Sequence, residues 1–587
     1  MLVEVRDHLR RFDLISWLLV AMVYLPMTMV KHENPMPGFL QEWSATCLAL
    51  GAGAMIANRW RDQRFALPSS IWVVLVLLPP LVFHLTQGNS PSLTVPLMYL
   101  ISIGLAIFMM VVGHSLATKG ERNLAWQPTW PLADLIATGF FLAALTGAVA
   151  GWQWQMSSGL IEPLDWDSTA GLVGQRNHNG LMAWAGVFGL THLHLAKRVR
   201  EKYWLAGVVI LANQAVYSGS RGVFLYATAG AMLGVWMSRK SEPGLTQRRA
   251  LWLSIFPVLA FVALLVAHSF FSDTFGTLSR LSGKAVGGDG RLSLWWRAAY
   301  TITEHPWLGA GPGSYLEESS RLADITPQHM LTEVPAAHAH NLFLHLGAEL
   351  GIPFTLMLGL LLAGWAYSAL RSQTFGTVWV VVGIPLAVLI HNQIEFSLWY
   401  LHFLIPVALC MGAGSTSLRW SIGGKKIVAA GLVGLLIAAK IGNDYLAFQT
   451  LFSHRRDTAI EALEKGATHP LFGPWISAAI TTNDRQKMGL SIEQRDRHAV
   501  RALSVTPMYR SALEARVESL EATGHSGEAE RINRLIRKVF GQKKENTSGL
   551  ASATEKSDGL SGNATNPSPP ALDSQSLRGT TSSPAPP

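Results

Sequence analysis

Five short polar stretches break an otherwise apolar chain, and their side chains are of the kinds that hold phosphate and move protons. Gln175-Arg176-Asn177-His178-Asn179 sets a cation and an imidazole among three carboxamides at the head of an apolar run. A solvated helix start with Asn or His near its cap reads the same way. In Ser218-Gly219-Ser220-Arg221-Gly222 the guanidinium of Arg221 offers a fork matched to phosphate oxygens, and the small neighbours let a ligand approach closely. An arginine snorkelling to lipid headgroups fits that turn too. Gly287-Gly288-Asp289-Gly290-Arg291, Trp295-Trp296-Arg297 and the run His305 to Gly313 bring Arg291 and Arg297 beside aromatic surface, suited to an anionic head or to a plain turn-rich interfacial loop. The glycines lack the spacing and lysine of a nucleotide-binding loop. His338-Ala339-His340-Asn341 leads into an apolar segment where His345 and Glu349 continue the face of Asn341 at helical spacing; polar stripes of this kind face a bundle interior. Last come His391-Asn392-Gln393-Ile394-Glu395, Leu398-Trp399-Tyr400 and His402, with His391, Glu395 and His402 expected on one helical face; an aromatic belt with a helix break is the alternative.

The elements that must position these residues are membrane helices. The chain of 587 residues is 49% apolar and only 14% charged, the balance of a multispan protein for which the bilayer is the solvent. Apolar runs near 13–30, 43–57, 69–86, 93–116, 131–152, 179–196, 203–218, 222–237, 250–270, 342–370, 376–392, 398–415 and 427–440 predict about thirteen spans. The net charge of +9 reports topology and not a nucleic-acid partner, because Lys and Arg concentrate in one set of short loops. That set includes Arg59, Arg61, Arg64, Lys197, Arg198, Arg200, Lys202, Arg239, Lys240, Arg248 and Arg249, and the opposite short loops hold only Lys31, Arg176 and Arg221. The bias predicts a cytoplasmic N-terminus and places all five polar stretches on the outer side, with the C-terminus there too. Cys47 and Cys410 lie in apolar segments and define neither a disulfide framework nor a metal site.

The fold expected is therefore all-α: a polytopic membrane bundle over residues 1–440, including a large outer loop at 271–341. Residues 441–545 lose the membrane composition and predict an amphipathic helical domain. There Ala459-Ile460-Glu461-Ala462-Leu463 is echoed by Ala499-Val500-Arg501-Ala502-Leu503, which fits tetratricopeptide-like helix pairs or a generic helical bundle, in either case a docking surface. Residues 546–587 are rich in Ser, Thr, Pro, Ala and Gly and predict a disordered tail.

The Ser-Gly-Ser-Arg-Gly turn, Gly290-Arg291, His305-Pro306-Trp307-Leu308-Gly309-Ala310-Gly311 and the His340 to Pro353 segment resemble the O-antigen ligase and Wzy-C polymerase superfamily. Gln175 to His178, His391 to Tyr400 and the helical C-terminal region are most similar to bacterial O-linked protein oligosaccharyltransferases of the PglL type. The resemblance implies an inner-membrane enzyme that transfers a preassembled glycan from undecaprenyl pyrophosphate to a hydroxyl, on Ser or Thr of pilin-like or other periplasmic proteins, with no cofactor and no metal. It further implies Arg221 and Arg291 as pyrophosphate binders, with Arg176 and Arg297 as weaker candidates. His340 is the acceptor-activating base with His338 as its alternate, and Gln175, Asn177, His178, Asn341, His391, Glu395 and Tyr400 orient glycan or acceptor. Rival readings are a ligase with lipid A core as acceptor, a polysaccharide polymerase, a metal-dependent transferase using Asp165 and Asp167, and a lipid-linked glycan transporter.

Overall fold

The computed structural model describes residues 13–29, 36, 38–88, 90, 92–119, 130–156, 171–240, 244–271, 290–323, 325–327, 330, 336–454, 459–482, 489–506, 510–537 and 540. The N-terminal basic residues, Asp165, Asp167, Gly287 to Asp289 and the expected tail lie outside them. The chain falls into two units, 1–533 and 534–587, and the first holds the membrane helices and all five polar stretches.

Helices dominate because the long apolar runs carry few backbone breakers and must satisfy every peptide group internally in hydrocarbon. In order they are α1 (Leu14–Thr28), α2 (Phe39–Arg59), α3 (Ile71–Leu75), α4 (Leu78–Gln87), α5 (Thr94–Lys119), α6 (Leu132–Met156), α7 (Arg176–Leu195), α8 (Glu201–Tyr217), α9 (Gly222–Met237) and α10 (Gln247–Phe271). Next come α11 (Arg291–Glu304), α12 (Tyr315–Arg321), α13 (Leu342–Leu350), α14 (Ile352–Ser372), α15 (Ile384–His391), α16 (Leu401–Ala413) and α17 (Gly424–Ser453). The chain continues with α18 (Ile460–Ala467), α19 (Gly473–Thr481), α20 (Ile492–Leu503), α21 (Arg510–Ala522) and α22 (Ser526–Ile536). Among the described residues, five helices are long and apolar enough to cross a membrane: Thr94–Thr118, Leu132–Gly151, Gln247–Phe270, Ile352–Ser372 and Gly424–Ser453. Large side chains such as Met232, Leu259, Leu360 and Leu436 stand exposed on this surface, as a lipid-facing wall requires. The protein is a mostly helical membrane protein.

Several expected spans are broken. The run at 69–86 is two short helices, α3 and α4, the second opening on Pro79-Pro80. The run at 342–370 breaks at Gly351, whose φ of 89° is open to glycine, and restarts as α14. Trp379–Gly383 is a π turn ahead of α15, and a 3-10 turn at Ser397–Trp399 precedes α16. The helix expected to stop at 440 runs on to Ser453 as α17. A two-stranded antiparallel ribbon, β1 (Arg64–Pro68) with β2 (Ser417–Gly423), was not foreseen; Arg64 pairs with Gly423, and Arg64 Nε donates to Ser421 Oγ at 2.7 Å.

Helix pairs close on small residues, as they do where lipid supplies no competing hydrophobic drive. At the crossing of α5 and α16, a side chain at Gly113 would strike the Leu409 carbonyl and one at Gly412 the Met110 carbonyl. In the C-terminal region α18 packs on α19, α19 on α20 and α20 on α21. The echoed Ala459–Leu463 and Ala499–Leu503 strings fall at opposite ends of their helices, the first opening α18 and the second closing α20.

The His305–Gly311 and Glu349–Pro353 strings meet as a backbone clamp. Ala310 N donates to Ala348 O at 2.8 Å, Gly311 N to Glu349 O at 3.0 Å and Ile352 N to Pro306 O at 2.8 Å. Gly309, at φ 73°, lies so close that a Cβ would run into the Glu349 carbonyl, and Gly351 lies likewise against that of Trp307. Gly309→Ala therefore combines left-handed strain with a backbone clash and is expected to cost at least ~2 kcal/mol. Gly364→Ala, where the added carbon meets open space, should be neutral or stabilising by up to ~1 kcal/mol. Thermal unfolding in detergent, followed by size exclusion, checks both; equal melting temperatures would remove the clamp.

Candidate active site

The Glu395 carboxylate gathers the polar stretches. Its helix, α15, ends at His391, and the chain turns through Asn392 to Phe396 before the 3-10 turn, so the expected continuous face of His391, Glu395 and His402 does not form. The turn is held by Asn392, which is fully buried. Its Nδ2 donates to Val388 O at 2.7 Å and Ser397 Oγ at 2.8 Å, its Oδ1 accepts from Leu398 N at 3.0 Å, and its carbonyl accepts from Leu342 N at 2.7 Å. That last bond ties the turn to the start of α13. Asn341 caps the same helix start by accepting from Leu344 N at 3.0 Å and donates to Gln393 O at 3.3 Å, so its amide is spent on structure.

Four residues from three separate stretches converge on the carboxylate that this turn presents. Arg291 Nη2 donates to Glu395 Oε1 at 2.5 Å and Asn177 Nδ2 to the same oxygen at 2.6 Å. His340 Nδ1 lies 3.2 Å from Oε2 and Gln175 Nε2 3.4 Å from it. Burial alone would raise the Glu395 pKa, but the hydrogen bond from His340 and the charges of His340, Arg291 and His391 outweigh it and pull the carboxyl down to about 2. An ionised Glu395 accepts only, so His340 donates to it through Nδ1, and Nε2 is the ring nitrogen not engaged with the carboxylate. The Glu395 side chain is 3% exposed, whereas those of Arg291 and His340 are 21% and 22% exposed, which leaves both open to a ligand. His340 adopts φ 52°, a left-handed conformation costly for a non-glycine residue.

The other expected residues divide by place. Arg221 is exposed at the turn into α9, where glycine at 222 leaves room for the Tyr226 hydroxyl and the Ile394 side chain. Gly180 of α7 packs against Ser218 and Ser220 of the same turn. Arg176 is half-buried at the first position of α7. His178 is buried against His391, Tyr400 and Phe403 at ring distances of 5.3, 5.3 and 5.0 Å, and His391 Nδ1 pairs with the Tyr226 hydroxyl. Nε2 of both His178 and His391 is buried without a hydrogen-bond partner among the described residues. His338 stacks on Phe396 at 4.6 Å. Burial, then the charge of His340, drives its pKa down to about 3, which keeps this imidazole neutral.

Arg297 departs from its expected place. Its side chain is fully buried, Nε donating to Thr326 Oγ1 at 3.0 Å and Nη1 to Ser319 Oγ at 3.3 Å. It braces the segment that follows α11 and does not join Arg291. Two groupings escaped the sequence reading. Tyr226 holds His391, with no signal beyond being a tyrosine one turn after Gly222. Tyr99 OH donates to Glu349 Oε2 at 3.0 Å, and Glu349 Oε1 lies 3.6 Å from His345 Nε2. This second cluster opens on a cavity of about 480 Å³ whose lining is otherwise largely apolar.

Glu395→Gln keeps the shape and removes the charge. A group whose folded pKa is depressed contributes stability above its ordinary value of 4.5 and loses it as pH falls toward about 2. The melting-temperature gap between wild type and Glu395→Gln should thus be constant above pH 4.5 and close as pH falls below it. Thermal melts across that range test the sign; a gap that widens in acid would refute the assignment.

Comparison with curated proteins finds no match. Residues 206–359 match a family model described as O-antigen ligase, a segment that contains Arg221, Arg291, Arg297, His338 and His340 and stops before Glu395. Over that segment the chain is similar to the O-antigen ligase family.

Proposed function

We propose that this protein transfers a preassembled glycan from undecaprenyl pyrophosphate to a Ser or Thr hydroxyl of a pilin-like or other periplasmic protein, at the Glu395 cluster. The observation that carries the reading is the meeting, on one buried carboxylate, of an accessible guanidinium and an accessible imidazole bonded through Nδ1. The basic-loop bias puts that cluster on the outer face of the inner membrane, with the N-terminus cytoplasmic and the C-terminus periplasmic.

The chemistry follows from the groups. The acceptor hydroxyl gives its proton to His340 Nε2 as its oxygen bonds the anomeric carbon. The bond from that carbon to the pyrophosphate oxygen breaks, and the leaving group takes the electron pair as an anion matched by Arg221 and Arg291. Direct displacement inverts the anomeric centre. Glu395 orients His340 and disperses the positive charge the imidazole acquires, the part a carboxylate plays beside a catalytic histidine. Because its lone pairs already accept from Arg291, Asn177, Gln175 and His340, its charge is neutralised locally and does not repel the phosphates. Gln175, Asn177 and Tyr400 then border the glycan or acceptor, with His178 and His391 packed behind Tyr400, and the apolar cavity that meets the cluster at His338, Phe396 and Tyr400 takes the isoprenoid chain of the donor.

A second reading has its own observation: the matched family model is described as O-antigen ligase, which favours lipid A core as acceptor for the same chemistry. A purified-protein assay with one lipid-linked glycan and separate protein and lipid acceptors decides between them. In it His340→Ala should abolish transfer, by about 10²–10⁴-fold or more, while His338→Ala retains part of it. Arg221→Lys and Arg291→Lys should bind donor poorly, lacking the fork. Chelators should leave the rate unchanged; loss in EDTA with rescue by Mn²⁺ would move attention to Asp165 and Asp167. Wild-type turnover by His340→Ala removes the proposed base.

A further inference from the structure

The cavity beside the reaction centre has a wall that the membrane helices do not supply. Most of the lining comes from α2, α3, α5, α12, α17 and the stretch of chain from α13 to α16, and Leu471, Phe472, Trp475, Ser504 and Val505 of the C-terminal helical region add to it. That region was expected to serve only as a docking surface. It is instead fixed into the bundle. Thr94 Oγ1, on a residue 1% exposed, donates to Pro470 O at 2.7 Å. Phe39 stacks on Tyr445 at 3.7 Å, and Phe472 lies nearly parallel to Phe448 at 5.1 Å. His469 accepts from the backbone of Leu471 and Phe472 at 3.1 Å each and reaches back to Asp444 of α17 at 3.3 Å. The start of α19 is thereby locked where Leu471 and Trp475 meet the cavity.

We propose that this wall selects the lipid chain of the glycan donor: Leu471, Trp475 and Val505 set how long and how bulky an isoprenoid the cavity accepts. The inference rests on the reading of the site as one for a pyrophosphate-linked isoprenoid. The cavity is apolar along most of its lining; its polar groups include Glu42, Tyr99, His345, Glu349 and His338, and His338 packs on Phe396, the ring that His340 also meets. A ligand filling it is therefore an uncharged chain, and in this reading its anionic end lies past Phe396, at Arg291. A membrane phospholipid would bring an acyl chain of similar chemistry, but it has no reason to end at the cluster of Arg291, Glu395 and His340. Selectivity by a packed wall is physically reasonable, because one methylene in a fitted apolar pocket is worth about 10-fold or more in discrimination.

The test uses full-length protein and two donors with one glycan, carried on undecaprenyl pyrophosphate or on a pyrophosphate bearing a short isoprenoid. Leu471→Trp and Val505→Trp, which fill the cavity, should raise KM for the long-chain donor about 10-fold and leave kcat/KM for the short-chain donor within about 2-fold. Trp475→Ala should relax the preference between chains. An unchanged KM in folded variants, or equal loss on both donors, overturns the wall and leaves glycan transfer standing. A wild-type protein inactive on both donors overturns glycan transfer, and this inference with it. A polyprenyl pyrophosphate with a diazirine on its chain gives an answer without any variant: crosslinks at 471–475 or 504–505 are expected, and crosslinks confined to other faces, or competed by phospholipid alone, overturn the proposal.

Discussion

Burying the carboxylate of Glu395 is the constraint on which the rest of the site depends. An ionised group at 3% exposure in this environment is tolerable only when its lone pairs are filled and its charge is met. Four donors answer that demand, and they arrive on three different pieces of backbone: the start of α7, the start of α11, and the left-handed residue before α13. Displacing any one of these pieces would leave a buried charge underpaired. The carboxylate thus holds the membrane bundle and the 290–341 segment to a single geometry, and it does so at the place where the geometry matters for chemistry.

The left-handed His340 shows where the cost of that arrangement is carried. A non-glycine residue at φ 52° persists only when its neighbours leave no alternative. Here Asn341 caps α13, Leu342 N is held by Asn392, and the far end of α13 is gripped by the clamp through Gly309, Gly311 and Gly351. With both ends of so short a helix fixed, the residue before it has one path to follow. The glycine-rich string that looked like a loop for anions is better understood as the brace for the histidine.

The sequence revealed the helices and the chemistry-bearing residues because both leave a local trace. Apolar runs mark spans, and polar residues inside them are costly enough to stand out. Gln175, Asn177 and Glu395 were visible on that ground, at the ends of apolar runs, and Arg291 and His340 as polar residues of the large outer loop. What was not visible is anything set by the breaks. A helical wheel places His391, Glu395 and His402 together, but Asn392 ends the helix and turns Glu395 toward Arg291, a choice made by hydrogen bonds to Ser397 and Leu398 that no periodicity encodes. Arg297 fails for the related reason that an arginine beside tryptophans reads alike whether it faces a ligand or, as here, Thr326 and Ser319 in the interior. Tyr226 and Asn392 act through partners more than a hundred residues away or through a turn, and neither kind of role has a spacing to detect.

Phe396 links these parts. His340 packs against its ring at 5.0 Å and nearly perpendicular to it, while His338 stacks on it at 4.6 Å and borders the apolar cavity. Two histidines two residues apart therefore live in different surroundings. One is bonded to the Glu395 carboxylate, and the other is kept neutral by burial and by its neighbour's charge. Only the first can take up a proton without adding an unpaired charge to a buried site. A ligand that bridges the ring must have a charged end and an apolar one, since the cluster offers guanidinium and imidazole and the cavity mostly hydrocarbon and aromatic surface. The arrangement thus ties the choice of base to the amphipathic nature of the donor, through a single phenylalanine at the boundary between them.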